Sequence, residues 1–154
     1  MRNSFFSWII LCVGITLNAA HASAQPAETP LKLEGGFIVS AEEVRVLIDQ
    51  GNIYLADCRS PFNYGKGHLP GAHSLEYLLN YHQDDLNAAS RKKRINFSSL
   101  PENKKNILIF YSHGTTGWKS YRAAKAAIAE GYTQVHWLRG GIQAWQAAGH
   151  KLEY

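Results

Sequence analysis

The sequence predicts a single α/β domain folded around a mostly parallel sheet. Three observations lead there. A chain of 154 residues with 45% hydrophobic and 18% charged residues suits one packed core of ordinary size. Ile107–Tyr111 is an unbroken apolar run, the mark of a strand covered on both faces. Runs of strand length alternate with helix-period segments, which is the order of βαβ units. The net charge of +4 is too modest to imply nucleic acid. Two cysteines, Cys12 and Cys58, are too few for a disulfide-stapled scaffold or a Cys-built zinc site.

Residues 1–24 read as a signal peptide. Arg2 gives a positive start, Trp8 to Leu17 is apolar, and Ala22-Ser23-Ala24 offers the small-x-small pattern that precedes cleavage, so the mature chain begins at Gln25. The run is shorter than the roughly 20 residues a spanning helix needs. No small residue precedes Cys12, as lipid attachment would require. The alternative is a buried N-terminal helix. The cleavage pattern favours export, with the periplasm as destination and no membrane anchor afterwards. Cys58 is then the only thiol left, and no internal disulfide can form.

Residues 25–36 carry Pro, Glu and Gly and read as a linker, so the domain proper spans 37–154. Ser40 and Glu43 have capping-box spacing, Val44, Leu47 and Ile48 follow at helical intervals, and Gly51 ends the helix. Asn52 to Cys58 reads as a core strand before a turn-rich stretch. Leu75, Leu78 and Leu79 suggest a short helix, and Asp84 to Asn106 a polar connection. After the Ile107–Tyr111 strand comes an Ala-rich helix over Trp118–Glu130, with Tyr121, Ala124 and Ile128 on one side and Gly131 at its end. Val135–Leu138 is a strand and Gly140–Ala148 a helix closed by Gly149. In parallel sheets ligands bind beyond the carboxyl ends of the strands. The loops after Cys58 and Tyr111 therefore hold the candidate site.

The second loop reads Ser112-His113-Gly114-Thr115-Thr116-Gly117-Trp118-Lys119-Ser120. Its glycines let the backbone curl at the start of a helix, where inward N–H groups make an anion cradle. Thr115 and Thr116 add hydroxyl donors, and Lys119 and Arg122 add charge. The same sequence also suits an ordinary glycine-rich turn.

Asp57-Cys58-Arg59-Ser60-Pro61 followed by Gly67-His68-Leu69-Pro70-Gly71-Ala72 resembles the first signature of rhodanese-like domains. Tyr132 to Val135 with Leu138-Arg139-Gly140-Gly141-Ile142-Gln143-Ala144-Trp145 and Ala148-Gly149 resembles their closing signature. The resemblance runs from about Phe37 to Leu152. It implies a three-layer α/β/α rhodanese-like fold, a central sheet of about five strands, and sulfur transfer through a cysteine persulfide. It also marks a departure. The family's nucleophilic cysteine follows the central strand directly, and that position is Ser112. By the same resemblance, exported relatives with a Trp-Lys/Arg-Ser loop end usually carry a second cysteine where Gly117 stands here.

A serine hydroxyl cannot store sulfane sulfur as a stable persulfide, and serine nucleophiles need an adjacent base. His113 is next in sequence, but neighbouring side chains entering a loop point apart. The chain is therefore expected to be a sulfurtransferase homologue with little or no activity, a module binding a small sulfur-containing anion, a persulfidated partner or a protein surface. The alternative keeps it an enzyme, with Cys58 carrying sulfur from a position beside the pocket mouth. Against that stands Cys58 as a buried small hydrophobe. A phosphatase is excluded on the loop, because an arginine clamp six positions after the nucleophile would fall on Trp118.

The histidines show no zinc spacing, and His68 matches the family's structural histidine, so neither metal nor cofactor is expected. Arg91-Lys92-Lys93-Arg94 reads as a solvated loop, with an acidic partner surface second. Tyr77, Tyr81, Trp118, Trp137 and Trp145 read as core or pocket wall.

Overall fold

The computed structural model describes residues 27–78 and 94–154. The expected signal peptide, Leu79, Tyr81, residues 84–93 and most of the Arg91–Arg94 run lie outside them. Among the described residues no helix is long and apolar enough to cross a membrane.

Five strands form one sheet in the order β1-β5-β4-β2-β3, and every strand pair is parallel. They are β1 (Phe37–Ile38), β2 (Ile53–Asp57), β3 (His73–Ser74), β4 (Ile107–Tyr111) and β5 (Val135–Leu138). Between them run α1 (Ala41–Gln50), α2 (Pro61–Gly65), α3 (Trp118–Ala129) and α4 (Gly141–Ala147). The expected α/β/α fold is present, with a wholly parallel sheet.

Side chains of β4 alternate between two cores, as strand geometry requires. Leu108 and Phe110 join Ala56, Tyr77 and Trp137 against α3. Ile109 and Tyr111 join Val44, Leu138 and Trp145 against α1 and α4. The buried face of α3 is Ser120, Ala123, Ala124, Ala126 and Ala127, while Tyr121 and Ile128 lie at its margin. Alanine on that face lets the helix lie close to the sheet.

At α1, the Ser40 hydroxyl accepts from the Glu43 amide at 3.2 Å and the Glu43 carboxylate accepts from the Ser40 amide at 2.7 Å. The short helix expected around Leu75 is not there. Leu75 N–H donates to the Asp57 carbonyl at 2.9 Å, and the chain from His73 to Leu78 runs extended beside β2. The stretch after Cys58, expected as turns, holds α2, where the Ser60 side chain accepts from the Asn63 amide and Pro61 opens the helix.

Candidate functional site

Asp57 in β2 and Tyr111 in β4 are register partners, so the loops after the two strands leave the same edge of the sheet side by side. The β2 side is a closed network. Arg59 donates from Nε and Nη2 to the Asp57 carboxylate, at 2.6 Å for the Nη2 contact, and from Nη2 to the Gly67 carbonyl at 2.7 Å. The Tyr111 hydroxyl donates to Asp57 at 2.7 Å and accepts from the Leu69 amide. Burial, then the Asp57 charge, holds the Tyr111 hydroxyl far above its ordinary pKa, so it remains a donor. His68 is buried, stacks on Tyr64 and sits 3.2 Å from the Tyr64 carbonyl through Nδ1. It braces the turn.

Cys58 is fully buried among Ala56, Tyr77 and Phe110. Burial, and next the Asp57 charge, pushes its thiol well above the ordinary value. The alternative that placed Cys58 at the pocket mouth is corrected: a core position keeps the thiol protonated and out of reach of a sulfur donor.

On the β4 side, Ser112 is 2% exposed while His113 faces solvent. Among the described residues no hydrogen bond joins the two side chains. Partial desolvation of its ring against the loop, and next the charge of Arg59, lowers the His113 pKa although the residue reaches solvent. The loop is held from outside by its carbonyls. Ser112 O accepts from the Ile142 amide at 2.9 Å and His113 O from the Gln143 amide at 3.1 Å. Gly141 makes this docking possible, since its φ is +58° and a side chain there would lie 2.4 Å from the Ser112 carbonyl. Gly114 O accepts from the Gly117 amide at 2.8 Å, closing a β-turn over Gly114–Gly117.

Gly117 is the N-cap residue of α3, and a Cβ on it would stand 3.2 Å from Ser112 Oγ. The serine hydroxyl thus sits at the amino end of a twelve-residue helix. The amides of Gly114, Thr115 and Thr116 make no backbone hydrogen bond among the described residues, so three donors at this loop remain unspent. The Gly117 amide is spent within the turn.

Three members of the predicted loop do other work. Ser120 is buried, donates to Gly117 O and accepts from Trp137 Nε1, so it joins loop to core. Lys119 is paired with Glu76 at 3.2 Å. Trp118 donates from Nε1 to the Ala27 carbonyl, and the Arg122 guanidinium lies over its ring.

Sequence reasoning missed the residues that cover the loop. Residues 27–30, expected as part of a linker, are fastened across it. Thr29 donates to the Thr115 carbonyl from its amide at 2.8 Å and from Oγ1 at 2.7 Å. Arg139 holds the segment through the Thr29 and Pro30 carbonyls and the Glu28 carboxylate, which also accepts from Thr115 Oγ1 at 3.1 Å. The Arg139 and Thr115 bonds keep the Glu28 carboxyl below its ordinary value. Arg139 directly follows β5, so the strand-end rule that singled out the other loops would have found it too. A groove of about 390 Å³ lined by Val39, Glu42, Val46, Leu47 and His136 takes no residue from either loop. Among the described residues no cluster of His, Cys, Asp or Glu could hold a metal ion.

A parallel sheet between helix layers, with a carbonyl-anchored loop opening onto a helix from its central strand, defines the class as an α/β domain of the rhodanese-like fold. The model of the rhodanese-like domain matches residues 40–148, and the chain belongs to that family. It is 28% identical over 110 residues to the thiosulfate sulfurtransferase GlpE of Pseudoalteromonas translucida, covering 71% of this chain and 89% of that protein. The fold is similar to that of the BH2092 protein from Bacillus halodurans, with TM-score 0.57, 22% identity and 76% of each chain covered. It is also similar to a thiosulfate sulfurtransferase from Pseudomonas aeruginosa, with TM-score 0.57 and 21% identity over 79% of this chain and 21% of that longer one.

Proposed function

We propose that this chain is an exported, periplasmic rhodanese-like protein that keeps the family's anion-holding loop without its nucleophile. It serves as a binding module for a small sulfur-containing anion such as thiosulfate, or for the persulfide group of a partner protein. The observation that carries this reading is Ser112. Its hydroxyl is buried at the end of the central strand and against the amino end of α3, where the family resemblance puts the reactive cysteine. A hydroxyl there can donate to an anion but cannot hold sulfane sulfur, and no base contacts it among the described residues. The similarity to a thiosulfate sulfurtransferase supports the ligand class. No observation favours Cys58 as a substitute.

The test is a thiosulfate:cyanide assay beside calorimetric titration with thiosulfate. The expected result is measurable binding with turnover well under about 1 s⁻¹. Turnover above that level that disappears in Cys58→Ser would overturn the non-catalytic reading. Export is tested by the amino-terminal sequence of the protein recovered from a periplasmic fraction, expected to begin at Gln25.

A further inference from the structure

We infer that Thr29 is a positioning residue for the anion loop, latching the one peptide group whose rotation would disarm it. The inference rests on the proposed anion-binding role of the loop and extends it to a residue more than eighty positions away. The turn Gly114–Gly117 has Thr115 and Thr116 at its centre. The peptide joining them is the unit that rotates by about half a turn between the two common β-turn types. Its carbonyl belongs to Thr115 and its N–H to Thr116, and in a trans peptide these point in opposite directions. Thr29 places two donors on that carbonyl, at 2.8 Å from its amide and 2.7 Å from Oγ1. While they hold, the Thr116 N–H faces away from the strap. If the peptide rotated, a carbonyl would turn to where an anion needs a donor.

The strap is built for this duty. Thr29 is buried, although it lies outside every helix and strand. Arg139 fixes its carbonyl at 2.8 Å and that of Pro30 at 3.1 Å. Trp118 Nε1 holds the Ala27 carbonyl at 2.9 Å. By contrast the Glu28 side chain is 65% exposed, so its ion pair with Arg139 adds little, and the bonds made to and from the strap's backbone do the fastening.

The experiment uses the full mature chain with Thr29→Pro, which removes both donors, Thr29→Val, which removes only Oγ1, and Thr29→Ser, which keeps both. Thiosulfate affinity is measured by calorimetry, and amide ¹⁵N shifts of residues 114–117 are read without ligand. Thr29→Pro is expected to weaken binding by about tenfold or more and to move the Thr116 amide resonance. Thr29→Val should fall between, and Thr29→Ser should stay within about twofold of the parent. The melting temperature should change little, because the strap is peripheral to both cores. Unchanged loop amide shifts in Thr29→Pro would overturn the latch whether or not thiosulfate binds. Failure of the parent protein to bind thiosulfate, with the Thr116 shift still moving, would instead overturn the ligand reading and leave the latch standing.

Discussion

The two loops at the carboxyl edge of the sheet leave neighbouring strands at the same register level, yet they use their polar groups in opposite ways. After β2, the Asp57 carboxylate, the Arg59 guanidinium, the Gly67 carbonyl and the Tyr111 hydroxyl satisfy one another in a buried cluster. After β4, the carbonyls are anchored from outside and several amides remain unspent. Buried charge must be paired, and a pairing of that kind fixes shape. Donors held in place without a partner are what a ligand site needs. One loop spends its polar groups on itself, and the other keeps amides unspent, as the proposed ligand role requires.

The sharpest way to break this contrast is Asp57→Ala. It strands the Arg59 charge in a buried place and should cost about 3–5 kcal/mol in urea denaturation. Ser112→Ala on the other loop should cost no more than about 1 kcal/mol, because its buried hydroxyl makes no hydrogen bond among the described residues that the change could break. Equal costs would erase the distinction. Gly117→Ala comes next. Its Cβ would stand 2.8 Å from the Gly114 carbonyl and 3.0 Å from Ser112 Cβ, so the turn must open, at about 1–3 kcal/mol. The same measure bears on Gly117→Cys paired with Ser112→Cys. A disulfide wants its Cβ atoms about 3.8 Å apart, so the bridge forms only if the loop yields.

Ser112→Cys on its own sharpens the comparison by placing two thiols in one protein. The new one lies at the positive end of α3 and should titrate below the free value of about 8.5. Cys58, raised by burial, should resist alkylation in the native state. The rate of alkylation against pH separates them, and a residue 112 thiol titrating at or above the free value would mean that the loop no longer favours an anion.

The smallest expected effect is on stability against pH. Burial depresses the pKa of His136, and partial desolvation with the charge of Arg59 that of the more exposed His113, so below their ordinary value of 6.5 the unfolded chain takes up protons first. Stability should be complete above pH 6.5 and decline as pH falls through the depressed folded values. Both ring nitrogens of His136 are buried without a partner. His136→Phe should therefore flatten the decline, as measured by melting temperature from pH 7 to 5.

Elements with a strong local signal were legible from sequence. The Ser40 capping box, the Ile107–Tyr111 run and the Val135–Leu138 strand stand where they were read. Two-residue strands such as β1 and β3 have no period to detect. Leu75 and Leu78 mimicked a helix by spacing alone, while pairing with β2 kept that chain extended. The loop around Ser112 was visible because its glycines and position are local. The strap was not, because Thr29 and Thr115 are joined only by the fold. Lys119 and Ser120 carried the right chemistry, but Glu76 and Trp137 had already engaged them.

The place of β4 at the centre of the sheet also governs how the chain can assemble. Its partners are Ile53–Asp57, far earlier in sequence, and Val135–Leu138, near the end. Such non-local pairing raises contact order and slows folding relative to helical bundles of similar size. During synthesis the Ile-Leu-Ile-Phe-Tyr strand emerges before its second neighbour exists, and one edge stays bare until Leu138 has arrived. A chain ended at Gly131 would keep that edge permanently open, turning the best-protected strand of the native protein into a template for aggregation.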